Sequence, residues 1–433
     1  MKHTLLVVHG GAPTAVLNSS LYGIIQASKN FGEIEKVLGA VGGIQGILHH
    51  DFVNLTKLND AIIRLLPFTP ASYIGTSRYP LREEDYERII NIFIDYHIDF
   101  VILNGGNGTM DACGKLARAV ARSHLPQAQH IRVVGIPKTI DNDIAQTDHA
   151  PGFGSAARYL AASVAELCRD VAALPIHVCI VEAMGRNAGW LTAASALARL
   201  NGTSSFLGPH LIYVPEFAFD EEQFLDEAKA LFDRFGGVVV VVSEGLKKAD
   251  GTPLVPPVFQ SGRSVYYGDV SAYLCSRIIK RLGIKARSEK PGILGRCSIA
   301  HQSSLDREEA ILVGSEAVKA ALSGQTAVMV GFERLSTEPY QVQTVLIPIE
   351  SVMLSERALP TDYVNLEHND ILPAYIEWCR PLIGGPLAAF APPLANLEPS
   401  IAPYVSPLAH PLAADSTSIS SSSKKEQDPW QYD

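Results

Sequence analysis

The stretch "PKTIDND" at 137–143 sets Lys138, Thr139, Asp141 and Asp143 within six positions, directly after the apolar run "IRVVGI". Paired carboxylates beside a lysine suit a reaction in which one acid takes a hydroxyl proton, the other handles metal or water, and the lysine neutralises phosphoryl charge. Alternation along an extended loop predicts that both aspartates point the same way. Taken alone, "DND" is more simply a polar strand-to-helix turn with Asx caps. Two further segments weaken that plain interpretation. "LNGGNGTMDA" (103–112) puts Gly105, Gly106, Asn107, Gly108 and Thr109 at another strand end, opening a helix, where backbone N–H groups bind phosphate. "VEAMGRNAGW" (182–191) ends a third strand in Met184, Gly185 and Arg186, so that backbone can approach a ligand while a guanidinium forks onto phosphate. A surface ion pair for Arg186 explains that motif alone equally well; the three strand ends together favour a phosphate site.

Two familiar phosphate motifs are excluded. "GGNGTMDACGKL" is one residue too long between Gly108 and Gly114 for a Walker A loop, and Leu116 stands where that loop needs Ser or Thr. "GGAPTAV" and "GGNGTM" both miss the GxGxxG spacing of a dinucleotide fingerprint, which leaves a dehydrogenase as a minor alternative.

The elements that position these loops are legible as β-branched runs: "TLLVVHGG", "EKVLGAVGG", "FVILNGG", "IRVVGIPK", "IHVCIVEAMG", "GGVVVVVSEG" and "AVMVGF". Helical spacing falls between them, in "AARYLAASVAELCRDVAAL", "NAGWLTAASALARL", "EEQFLDEAKALFDRF", "DVSAYLCSRIIKRL" and "LDREEAILVGSEAVKAAL". Strands alternating with helices predict an α/β fold with mostly parallel sheets and ligands at the carboxyl ends of the strands.

The 433 residues allow two domains, and 47% apolar with 19% charged residues is an ordinary globular composition. A formal charge of −9 offers no basic field for nucleic acid. The N-terminal apolar run is too short for a signal peptide or a membrane span, and the six cysteines are scattered singly, so a cytoplasmic protein without membrane contact, zinc site or disulfide framework is expected. Proline density over 371–411 predicts an ordered extension, and the serine-rich segment 412–433 a disordered tail.

Along residues 1–350 the pieces "GGAPTAVLNSSLYGII", "IGTSRYPL", "GGNGTMDA", "PKTIDND", "TDHAPGFGSAARY", "VEAMGRNAGW", "VVSEGL", "GILGR" and "SSLDREEA" resemble, in family order, the phosphofructokinases. The wording "PKTIDND…PGFGSAA…MGRNAGWLTAA" is most similar to the branch that contains pyrophosphate-dependent enzymes alongside ATP-dependent ones. The resemblance implies two Rossmann-like three-layer α/β domains with the active site in the cleft between them, and a homo-oligomer, dimer or tetramer. The donor domain would comprise 1–140 plus about 265–305, and the sugar-phosphate domain 141–264 plus about 306–370.

It further implies that Asp141 deprotonates the sugar 1-hydroxyl, that Thr139 sits beside the transferred phosphoryl group, and that Asp143 supports metal and transition-state charge. Arg186, with the Met184 and Gly185 backbone, would bind sugar and stabilise the transferring group. Glu244 would accept sugar hydroxyls, Arg296 grip the 6-phosphate, and Arg287 reach across the subunit interface. Gly11 and Arg78 would line the donor pocket with Gly106, Asn107, Gly108 and Thr109, and Mg²⁺ would be the cofactor. The chain departs from the family at Asn107, where many relatives carry aspartate, and at Ile293, Gly295 and His177. These changes leave a seven-carbon ketose phosphate and a non-catalytic regulatory paralogue open as alternatives. Gly108 replaces an aspartate common in pyrophosphate-using relatives, so ATP is the expected donor, with Asn107 holding Mg²⁺ as a neutral oxygen and pyrophosphate the alternative.

Overall fold

The computed structural model describes residues 2–201, 208–261 and 264–391. The segment 392–433, with the expected tail and the second half of the expected extension, lies outside the described residues. The chain through Phe390 is one compact unit holding two larger sheets.

The first sheet has the order β13-β12-β5-β4-β1-β2-β3. Its parallel members are β1 (His3–His9), β2 (Ile34–Ala40), β4 (Phe100–Gly105), β5 (Arg132–Pro137) and β12 (Val328–Thr337). Antiparallel strands β3 (Phe52–Asn54) and β13 (Tyr340–Pro348) close its two edges. The helices Glu83–Asp95 and Asn107–Arg122 cover one face, through Ile89, Phe93, Met110 and Leu116. Leu17–Asn30 and Ser304–Leu322 cover the other, through Leu21, Ile24, Val313 and Ala317. All six residues of β4 are buried, which is why Phe100–Leu103 is continuously apolar rather than alternating.

The second sheet, ordered β11-β6-β8-β7, is wholly parallel: β6 (Val178–Ala183), β7 (Leu211–Tyr213), β8 (Val238–Ser243) and β11 (Ala286–Glu289). It lies between Phe153–Ala173 on one face and Glu221–Phe235 with Val270–Leu282 on the other. A separate antiparallel hairpin joins β9 (Pro257–Ser261) to β10 (Ser264–Tyr267). The expected α/β class with mostly parallel sheets is therefore what the chain forms.

The expected partition is corrected in its second half. Residues 270–282 and β11, assigned with the first domain, belong to the second sheet, while β12 and β13, assigned with the second, extend the first. The physical reason is edge availability. Strand β12 finds the open edge of β5, pairing Val328 with Val134, and β11 finds that of β6, pairing Arg287 with Cys179. Apolar periodicity tells a strand from a helix but does not say which edge a returning strand will join. Residues 373–383 also pack into the core, with Tyr375 fully buried and its hydroxyl donating to Trp190 O.

Candidate active site

Strand β1 runs on into Gly10 and Gly11, and β4 through Gly105 into Gly106, at neighbouring positions of one sheet. The two turns are pressed together against Thr109: a Cβ on Gly10 or Gly105 would lie 2.2 or 2.1 Å from Thr109 Oγ1. Only glycine fits at either place, and Thr109 acts as the packing wedge between the turns. Gly11 adopts φ +74°, the left-handed region. Gly106 caps the helix that Asn107 opens, while a side chain at Gly108 would meet nothing within 4 Å.

Lys138, the first residue beyond β5, is buried with its ammonium over the first glycine turn. Its Nζ donates to Gly10 O at 3.2 Å and to Ala12 O, and its N–H donates to Gly105 O at 2.9 Å. Burial, with the nearby Arg296 and Arg78, lowers this lysine to about 8, while Asp141 and Asp143 oppose the shift. The neighbouring His9 is driven down to about 3 by burial and by Lys138, so its ring is neutral.

The Thr139 hydroxyl connects the two aspartates: it accepts from Asp141 N–H at 3.0 Å and hydrogen-bonds the Asp143 carboxylate. Asp141 is pushed up to about 7, first by burial and then by the charges of Asp143 and Glu244, against Lys138 and Arg186. Burial likewise raises Asp143. The expected extended alternation is not how the pair is arranged. Asn142 between them takes φ +53°, a left-handed conformation that asparagine tolerates, and its Oδ1 accepts from Ala150 N–H at 3.1 Å.

From the second sheet, β6 delivers Met184, Gly185 and Arg186, and β8 delivers Glu244. Gly185 turns at φ +112°, with Asp141 Oδ1 4.0 Å from where its Cβ would be. Ser243 Oγ donates to Gly185 O at 2.8 Å, and Gly185 N–H supports the Glu244 carboxylate. Burial raises Glu244 although Arg186 favours its charged form. Arg296 lines a cavity with Met184, Ile140 and Tyr159; burial and Arg78 lower its affinity for the proton, while Asp141 raises it.

The carboxyl ends of β1, β4 and β5 thus meet those of β6 and β8. Lys138, Thr139, Asp141, Asp143, Arg186, Glu244, Arg296 and the exposed Arg78 act on one another there. Arg287 stands apart, exposed on edge strand β11 with its charge acting on His177. Ile293 is 62% exposed, and Gly295 packs against the Tyr159 ring.

Three residues that sequence reasoning passed over also belong to the site's framework. Asp306 accepts from Gly152 N–H, Ser155 N–H and Ser155 Oγ at 2.8, 2.9 and 2.5 Å, fixing the start of the Phe153–Ala173 helix. It lies in the quoted piece "SSLDREEA", the one signal that marked it. Glu356 accepts from Asn187 Nδ2 at 3.2 Å and its charge raises Asp143, and Arg357 hydrogen-bonds the loop between the aspartates. No motif flags either of these two.

For a divalent cation the donor set is one of hard oxygens. Asn107 Oδ1, Asp141 Oδ1 and Asp143 Oδ1 are buried and lack a hydrogen-bond partner among the described residues. Uncompensated buried oxygens of this kind fit an oxygen-seeking cation completed by ligand or water oxygens.

A sequence model described as phosphofructokinase matches residues 4–321. The pyrophosphate–fructose 6-phosphate 1-phosphotransferase of Rhodospirillum rubrum is 34% identical over 88% of this chain and 95% of its own length. The enzyme of the same name from Xanthomonas campestris pv. campestris is 35% identical over 93% and 95%. The crystal structure of a pyrophosphate-dependent phosphofructokinase from Nitrosospira multiformis superposes with a TM-score of 0.79, at 31% identity over 92% of this chain and 95% of that one.

Proposed function

The chain belongs to the phosphofructokinase family of phosphotransferases, and from that premise we propose that it moves a phosphoryl group from pyrophosphate to the 1-hydroxyl of fructose 6-phosphate, with Mg²⁺. The observation that carries the choice of donor is the setting of Lys138. Its ammonium is fixed on the carbonyls of the first glycine turn, and the guanidinium of Arg78 acts upon it. A buried lysine on the glycine turn with Arg78 acting upon it suits a compact donor that is anionic throughout and needs no pocket for an adenosine group. The names of the relatives support the same choice, against the expectation of ATP. ATP stays as the second reading on one specific observation: the space beside Gly108 is open, so neither bulk nor charge there bars an α-phosphate.

In this account Asp141 takes the proton of the 1-hydroxyl, the freed oxygen attacks the terminal phosphorus of the donor in line, and orthophosphate leaves. The raised affinity of Asp141 for the proton places it near neutrality, where a general base is most effective. Thr139 and Lys138 flank the group in transit, Arg186 stabilises its charge, and Glu244 orients the sugar hydroxyls. Mg²⁺ would be held by Asp143 and Asn107 and would neutralise charge on the donor oxygens. Arg287, exposed on the edge strand β11, would serve the sugar phosphate of a neighbouring subunit in a homo-oligomer. Among the described residues no helix is long and apolar enough to cross a membrane.

The test is product identification. Fructose 6-phosphate should give the 1,6-bisphosphate with one donor or the other. Absence of turnover with both, while sugar phosphate still binds, would favour the regulatory paralogue.

A further inference from the structure

The partly buried Arg357 joins two of the loops that meet at the site. Its N–H donates to Asp143 O at 2.8 Å, its Nη1 to Thr147 O at 2.6 Å, and its Nε and Nη2 to Asn142 O at 3.4 and 3.2 Å. One residue thus holds the carbonyls of Asn142, Asp143 and Thr147, the chain that carries both aspartates. The guanidinium lies over the Trp190 ring, 4.4 Å from its centroid, and Trp190 Nε1 donates back to Arg357 O at 3.2 Å. Trp190 opens the short helix that follows "MGRNAG", so the same side chain is fastened to the loop that bears Arg186. Next to it, Glu356 pairs with Ile144 through a backbone bridge and accepts from Asn187.

Asn142 is the reason such a fastening is needed. Asparagine tolerates φ +53° but does not enforce it, and the turn at Asn142 sets the direction in which the chain carries Asp141 and Asp143. We propose that Arg357 is a positioning residue for the phosphoryl transfer: by gripping the Asn142 and Thr147 carbonyls against Trp190, it holds the left-handed turn that aligns the base Asp141 with Asp143 and with the Arg186 loop. Lysine retains the charge but cannot fork onto two carbonyls while stacking on an indole.

The inference rests on the proposed reaction, so the wild-type enzyme is assayed first; its turnover of fructose 6-phosphate establishes that reaction independently of any variant. Arg357→Lys should then lower kcat about 100-fold, while dissociation constants for fructose 6-phosphate and pyrophosphate, measured without turnover, change less than about threefold. Adding Asn142→Gly, which makes the left-handed turn free of strain, should restore kcat at least about fivefold in the Arg357→Lys background. Should Arg357→Lys fail to fold, Trp190→Phe keeps a ring beneath the guanidinium but removes the donor to Arg357 O, and should lower kcat roughly three- to tenfold with binding unchanged. An unchanged kcat in the folded variant, a loss of binding equal to the loss of kcat, or no recovery on adding Asn142→Gly would each overturn the proposal.

Discussion

Replacing Asp141 by asparagine should make the protein slower and more stable at once. Burial first, and then the charges of Asp143 and Glu244, move this carboxyl from 3.8 to about 7. For an acid, a raised folded-state value means that the ionised form is penalised by folding. That penalty is absent below pH 3.8 and complete above about 7. At about 1.4 kcal/mol per unit it amounts to roughly 4 kcal/mol, an upper bound because Asp143 carries part of the same repulsion, and half of it is a prudent expectation. An asparagine side chain at this position has no charge to bury. In metal-free, ligand-free buffer at about pH 7.5 the variant should therefore gain about 2 kcal/mol or more, a rise of a few degrees in Tm, while kcat falls by a factor on the order of 10² to 10⁴. At about pH 5 the gain in stability should shrink, because the wild-type carboxyl has taken up its proton. The assays are calorimetry at the two pH values and a coupled turnover measurement. A variant no more stable than wild type at the higher pH would refute the electrostatic argument, and near-normal turnover would refute the role of Asp141 as base.

Two further outcomes follow from the framework around the site. A methyl group at Gly245 would sit 1.7 Å from Arg186 O, so Gly245→Ala should displace the Arg186 turn and cost about 1–3 kcal/mol of stability; kcat/KM for fructose 6-phosphate measured near the wild-type value would show that this turn does not matter. Buried His149 bonds Asp148 and Glu309 at 2.8 Å each; burial disfavours its proton but the two carboxylates prevail and raise it from 6.5 to about 9. Its contribution is thus complete below pH 6.5 and disappears as pH rises through about 9, so thermal scans should find His149→Gln further below wild type at about pH 6 than at about pH 9.5; an equal deficit at both would mean that the ring is neutral.

Much of this was readable from the residues because the chemistry sits where the local signals are strongest. Buried parallel strands are written as unbroken β-branched runs, and each run here stops in glycine or a polar turn, so β1, β4, β5, β6 and β8 and the loops they carry were all visible. The run "EEQFLDEAKALFDRF" is the helix Glu221–Phe235 itself, which Asp220 caps and Gly236 ends. What escaped was long-range. Nothing in "AVMVGF" says that it will pair with β5 rather than with the second sheet, and the short edge strands β3, β7 and β11 are too brief to show a period. Glu356 and Arg357 lie more than 200 positions from the aspartates, in "LSERALP", where only tertiary structure brings them to Asn142. The left-handed turn at Asn142 was hidden too, since "DND" is compatible with an extended loop until a partner for the Asn142 carbonyl is known.

The role of Lys138 and Arg78 as a seat for pyrophosphate is tested most directly by the ratio of kcat/KM for the two donors at saturating fructose 6-phosphate. The value for pyrophosphate should lie at least about tenfold above that for ATP, about 1.4 kcal/mol in transition-state terms. An equal value, or one in favour of ATP, would contradict it and would give the open space beside Gly108 the deciding part.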